Sequence, residues 1–265
     1  MHELPLILFT LLVQASVGVM CVFACFSPKS LAPTQRTLAV LFICFSAGLG
    51  LLASTLHMGY PLNAFNALRH FASSWLSREI VFAALYLGLS GIALLCALLR
   101  RTPPRVLLFA AALCGLVDLL CMSAIYMHAT VVTWRHINTL FMFYGSAALL
   151  GAVFSAWILP LSPRALRVLA GIAIAALALR LLVQPDYISW LSDAARSEAV
   201  TFPHYPLTAF RLLSGMRLSA WISSAVGVLL FTLAARRGKS PLLLSGCVLI
   251  AVAEILQRFT FFSIQ

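Results

Sequence analysis

Charge is what this sequence has least of: charged residues fill 9% of its 265 positions, against 62% for hydrophobic ones. A water-soluble domain carries about 25% charged residues, so this chain has too little polar surface to cover itself in water. Its mean hydropathy of +1.02 agrees. The period-2 alternation of barrel strands is missing, which excludes a transmembrane β-barrel. No C-x-x-C pair occurs among Cys21, Cys25, Cys44, Cys96, Cys114, Cys121 and Cys247. An odd, dispersed set of thiols inside apolar runs excludes a disulfide framework and iron–sulfur ligation by this chain. These cysteines are expected to behave as small buried hydrophobes. A P-loop, an H-E-x-x-H pair and a nucleophile elbow are absent as well, which removes the hydrolases those motifs build. The chain opens Met1-His2-Glu3 without a basic n-region, so its first apolar segment is expected to remain as a permanent helix.

What is present is a series of long apolar runs. A helix of about 20 residues crosses the hydrocarbon core, and the runs predict eight such spans, near 4–26, 37–57, 79–99, 105–126, 137–159, 165–183, 214–235 and 241–262. The fold class is therefore an all-α integral membrane protein, one eight-helix domain over 1–265. An even number of spans returns both termini to one side, side A. The loops of side B, around 27–36, 100–105, 160–167 and 236–240, hold ten of the 18 Lys and Arg residues and none of the seven carboxylates. By the positive-inside rule side B is cytoplasmic, so the termini are expected to face outward, into the periplasm of a bacterial inner membrane. The net charge of +11 is thus an orientation signal, with no soluble basic domain to bind nucleic acid.

All six histidines fall on side A. So do the two longest connections, near 57–78 and 184–213. In the second, Tyr187, Trp190, Leu191 and Ala194 can share one face while Asp186, Asp193 and Arg196 lie on others, as in a short helix lying in the interface. In the first, His57 is followed by Gly59 and Pro61, which end a helix sharply. An imidazole there can cap the helix dipole or accept protons in the physiological range; position alone leaves both open. Phe65, Leu68, Phe71, Ala72 and Trp75 then keep helical spacing and predict a surface helix.

Few polar residues remain inside the spans. Glu79 opens the third span next to Arg78, where the helix dipole favours a carboxylate. Glu254 has Arg258 one turn on, which predicts an i,i+4 ion pair. Asp118 has no basic neighbour in its helix, and an ionised side chain at the centre of a span costs about 2.5–3.5 kcal/mol on insertion scales. It is expected to be protonated or to pair across helices, with Arg180 as the partner. Arg217 begins the seventh span as a snorkelling anchor. Haem ligation would need paired histidines at matching depth inside helices, and a secondary transporter would show paired broken helices; neither pattern is present.

The stretch "HMGYPLNAFNALRHFASSWLSREI" resembles the segment after the second helix in the membrane anchor subunit of bacterial dimethyl sulfoxide reductases. That family's pattern is met by His57, Gly59, Pro61, Ala64-Phe65-Asn66, Leu68 and Leu76-Ser77-Arg78-Glu79-Ile80. The opening "HELPL", the dipeptide Thr133-Trp134 and "AEILQRFTFF", through Glu254, Arg258 and Phe262, are similar too. The sequence departs from the family at Ala253 and Gln257, where glycines often flank the glutamate, and at Phe262, which keeps the aromatic ring but not the hydroxyl of the family's Tyr; it also stops soon after the last span. The resemblance implies a complex with a molybdopterin catalytic subunit and a ferredoxin-like subunit bearing four iron–sulfur clusters. The anchor would bind menaquinol in the membrane, oxidise it to menaquinone and pass the electrons to the iron–sulfur partner in anaerobic respiration, holding no metal or bound cofactor itself. His57 and Glu79 would be the catalytic pair. Gly59, Pro61, Asn66, Arg78, Arg217, Glu254 and Arg258 complete the expected quinol-binding set. Two alternatives remain: the anchor of a polysulfide- or nitrite-type reductase, and an eight-helix transporter coupled to protons through Asp118 and Glu254.

Overall fold

Backbone groups with no water to bond must bond one another, and the apolar runs meet that requirement as helices. The structure, a computed structural model, describes residues 4–26, 31–57, 68–197, 206–237 and 241–264. Among these described residues, ten α-helices follow one another: α1 Leu4–Phe26, α2 Pro33–His57, α3 Trp75–Leu98, α4 Arg105–Met127, α5 Asn138–Ile158, α6 Pro163–Leu182, α7 Gln184–Ser197, α8 Pro206–Leu212, α9 Ser214–Arg237 and α10 Pro241–Ser263. Eight stretches are long and apolar enough to cross a membrane, and no strand occurs among the described residues. The expected spans recur with shifts of a few residues at their ends. The third begins four residues early because the Ser74 hydroxyl accepts the Ser77 amide and caps α3 at Trp75.

The spans form two groups of four, α1–α4 and α5, α6, α9, α10, with α1 packed against both. α1 therefore has the most enclosed surface of any span. It meets α5 where Gly18 and Gly151 touch backbone to backbone; a Cβ on either would collide with the other residue's main chain. Small residues let helices approach this closely where lipid gives no hydrophobic drive to associate. Polar groups on α1 bond across helices. Ser16 Oγ donates to the Ile43 carbonyl of α2 at 2.7 Å and lies 2.6 Å from the Tyr86 hydroxyl of α3, and Ser46 Oγ of α2 donates to the Leu12 carbonyl at 2.8 Å.

The short helix expected in the stretch "PDYISWLSDAARSEAV" is present as α7. Tyr187, Leu191 and Ala194 are buried on its inner face, and Tyr187 and Leu191 join Phe210 and Ile264 in a small second core on side A, while Asp186 and Asp193 are exposed. The surface helix expected around 65–75 is not found in the described residues: Leu68–His70 form a single 3-10 turn and Trp75 already belongs to α3. The cysteines also differ from expectation. Cys121 and Cys247 are buried, but Cys25 is exposed and the other four are half-buried, because the outer faces of these helices meet lipid and a thiol suits that surface as well.

Candidate functional site

Two polar groups occupy the side-A half of the bundle, and the expected site residues divide between them. The first lies where α2 ends and α3 begins. His57 is the last residue of α2, and α2 packs on α3. Gly59, Pro61 and Asn66 lie outside the described residues. On α3 the inward stripe Glu79, Ala83, Tyr86, Ser90, Ala93 and Ala97 is buried, so Glu79 sits at the top of the packed face, 6% exposed. It is four residues into the helix, about 6 Å below the rim.

Arg78, expected to bind quinol, holds the local backbone in place. Its Nε donates to the Phe71 carbonyl at 3.0 Å and its Nη2 to the Ala72 carbonyl at 2.6 Å. Its guanidinium lies 4.3 Å from the centre of the Trp75 ring. This fastens the turn before α3 to the first turn of the helix. The His128 imidazole, capping α4, stacks on Trp75 at 5.9 Å. Deeper on α4, Asp118 is fully buried, and neither carboxylate oxygen has a hydrogen-bond partner among the described residues. It lies within electrostatic reach of Glu79. The expected partner Arg180 is elsewhere.

The second group joins α1, α5, α6 and α10. Arg180 and Glu254 are both fully buried and pair twice: Nη1 to Oε1 at 2.6 Å and Nη2 to Oε2 at 3.0 Å. Arg180 also donates to Gln257 Oε1, to Ser146 Oγ and to the Met142 carbonyl. Its guanidinium crosses α5 over Gly145, where a Cβ would strike it. Glu254 thus bonds Arg180 across helices instead of forming the expected pair with Arg258. Arg258 donates to Gln14 Oε1 at 2.7 Å and to Ser146 Oγ at 3.1 Å, and stacks on Phe143. Two guanidiniums and one carboxylate leave this cluster with one excess positive charge, offset by the carbonyls and amides that accept from it.

Arg217 belongs to neither group. It lies over the Phe210 ring and donates to the Phe210 carbonyl, tying α8 to α9. With Asn138, Gln184, Tyr187, Gln257 and Thr260 it lines a cavity of about 40 Å³. The pair Thr133-Trp134 anchors the end of the last span: Thr133 Oγ1 donates to the Ile264 carbonyl at 2.6 Å and Trp134 Nε1 to the Phe261 carbonyl at 2.8 Å. Phe261, Phe262, Trp134, Tyr126 and Phe143 then form one aromatic cluster.

The structure therefore brings Arg78 and Glu79 together on α3, next to the helix that His57 ends, and places Glu254 and Arg258 in a separate network. Gln14 and Ser146 join that network without having been expected there. A glutamine in the middle of an apolar span was the available signal for the first, while a serine among alanines and glycines offers none. Among the described residues no group of three or more His, Cys, Asp or Glu side chains could hold a metal ion.

Similarity to known proteins extends over the same bundle. The family described as DMSO reductase anchor subunit (DmsC) matches residues 1–264. Over 165 residues the sequence is 34% identical to the YnfH polypeptide of anaerobic dimethyl sulfoxide reductase from Escherichia coli, covering 60% of this protein and 58% of that one. It is 29% identical to the C polypeptide of anaerobic dimethyl sulfoxide reductase from Haemophilus influenzae, over 84% of each. With the corresponding C polypeptide of Escherichia coli it shares 28% identity, over 100% of this protein and 95% of that one. No solved structure shows significant similarity.

Proposed function

The protein belongs to the dimethyl sulfoxide reductase anchor subunit family, and from this we propose that it binds menaquinol at side A, oxidises it and passes the electrons to an iron–sulfur partner docked there. Its role as a multi-pass membrane anchor follows from the family and from eight apolar helices. The observation that carries the quinol site is the position of Glu79: a carboxyl buried to 6% exposure yet only one turn inside the rim, on a helix that packs against α2, which His57 ends. Quinol oxidation releases two electrons and two protons, so it needs a base at the hydroxyl and a way out for protons. His57 accepts the hydroxyl proton, and Glu79 receives protons from that site or orients the imidazole. Gly59, Pro61 and Asn66 shape the pocket, while Arg78 fixes its floor by holding the Phe71 and Ala72 carbonyls. The electrons continue through the partner's clusters to a molybdopterin subunit that reduces dimethyl sulfoxide or an N-oxide. With side A facing the periplasm of the inner membrane, protons released and protons consumed stay on one side.

The proton-coupled transporter alternative would place Asp118 and Glu254 on one path. Glu254 is instead held by Arg180 among α1, α5, α6 and α10, whereas Asp118 is buried on α4 with no hydrogen-bond partner among the described residues; this separation favours the anchor. A polysulfide- or nitrite-type anchor would share the quinol chemistry, and the names of the relatives favour dimethyl sulfoxide. The test is His57→Ala in the assembled, membrane-bound complex. Oxidation of a reduced naphthoquinol should be abolished while dimethyl sulfoxide reduction from a reduced viologen dye continues. Wild-type quinol oxidation in that variant would refute the site.

A further inference from the structure

Protons taken from a quinol at Glu79 must still reach water, and the structure shows what lies above that carboxyl. α3 and α4 are antiparallel and packed along their length, so the end of α4 stands beside the start of α3. His128 occupies that end, exposed, with its ring stacked on Trp75. Trp75 precedes Glu79 by four residues and so lies above it on the same face of α3. The imidazole is fixed in one useful form. Its Nδ1 is 2.8 Å from the Ala124 carbonyl oxygen, and because a carbonyl can only accept, Nδ1 carries the hydrogen. In the neutral ring the lone pair is then at Nε2, where it can take a proton.

We propose that His128 is the proton-exit residue of the quinol site, receiving protons that leave Glu79 and releasing them to the water at side A. This rests on the quinol-oxidising reading of the same site. Per quinol, two O–H bonds break, the electron pair goes to the docked iron–sulfur partner and the two protons leave in turn. Each passes from the Glu79 carboxyl through water bridging a gap of about one helical turn to Nε2, and then to bulk. Glu79 and His128 return to their starting forms after each proton. The charged and titratable groups around this line are Arg78 and Glu79 on α3, Asp118 and Cys121 on α4, Arg69 and His70 in the turn packed on α3, and His57 at the end of α2. Of these the Arg78 guanidinium is committed to backbone carbonyls, and Asp118 lies nine residues before the end of α4, about 14 Å down. Among the described residues, His128 combines the rim, the stack over Glu79 and an oriented lone pair.

The experiment uses the assembled complex, a reduced short-chain naphthoquinol as donor and dimethyl sulfoxide as oxidant. His128→Phe retains a ring for Trp75 to stack on but has no titratable nitrogen; His128→Ala opens a space that free imidazole can enter. Both should slow quinol oxidation at least about tenfold without changing viologen-driven turnover, and added imidazole should restore His128→Ala but not His128→Phe. A wild-type rate in His128→Phe, or a slow His128→Ala that imidazole leaves unchanged, overturns the proposal. His57→Ala and Glu79→Gln run in parallel. If they are impaired while His128→Phe is not, only the exit residue is wrong; if they are unimpaired, the quinol site itself is refuted and the exit residue with it.

Discussion

Glu254 and Asp118, two carboxyls buried in the same bundle, are held in opposite ways. Glu254 has a guanidinium on both of its oxygens, and removing either partner leaves the other charge buried without its two-point hydrogen-bonded partner. Arg180→Met or Glu254→Leu should each destabilise the protein by about 3–5 kcal/mol, and the double replacement by less than either. Thermal unfolding of the detergent-solubilised complex would show this, and additive losses would contradict the pairing. Asp118 has no hydrogen-bond partner among the described residues. Asp118→Asn should leave stability within about 1 kcal/mol of the parent, since it deletes no such bond. The contrast extends to chemistry: Glu79→Gln should lower quinol oxidation about a hundredfold or more with viologen-driven turnover intact, whereas Glu254→Gln should act through assembly and stability.

Between helices, two local features set how well the elements fit. α3 ends at the side-B rim with Arg100 at φ 58°, where the Arg101 amide bonds back to the Cys96 carbonyl and the Arg100 amide to that of Ala97. This C-terminal turn is one that glycine fills without strain, and any larger residue there costs roughly 1 kcal/mol. Arg100→Gly should therefore raise the unfolding midpoint slightly while the complex still inserts. The contact of Gly18 with Gly151 is less forgiving. Gly151→Leu places a branched side chain against the α1 backbone, and the two groups of spans must separate at a cost of about 1–3 kcal/mol or more. Weaker recovery of the full-length protein with its partners would report that loss, whereas Gly171→Leu, in open space on α6, should be tolerated.

Across the bundle as a whole, the distribution of charge carries the functional geometry. Side B holds a basic rim, and side A holds the histidines, α7, and both polar groups of the interior. A reporter active only outside the cytoplasm, fused after Gln265, should be active if side A faces outward. Signal from a cytoplasm-only reporter at the same place would reverse the arrangement and move the proposed proton release to the other compartment.

The membrane class, the eight spans and the short helix α7 were legible in the order of amino acids, because each depends on a local property: apolar length against the thickness of a bilayer, or the distribution of apolar and polar residues around one helix. The stretch from His57 to Ile80 carried the family resemblance on which the proposed site rests. Which ionisable groups meet emerged from packing. Spacing within α10 suggested Glu254 with Arg258, and a lone Asp118 suggested Arg180. In the folded bundle Arg180 reaches across α5 to Glu254, Arg258 turns to Gln14 and Ser146, and Asp118 is left without a hydrogen-bond partner among the described residues. Pairing among buried charges depends on which helix faces meet and at what depth, a relation between segments far apart in the sequence that no single helix encodes. His128 was visible as a histidine on side A; that it lies on Trp75 above Glu79, with the lone pair at Nε2, follows from the antiparallel packing of α3 on α4.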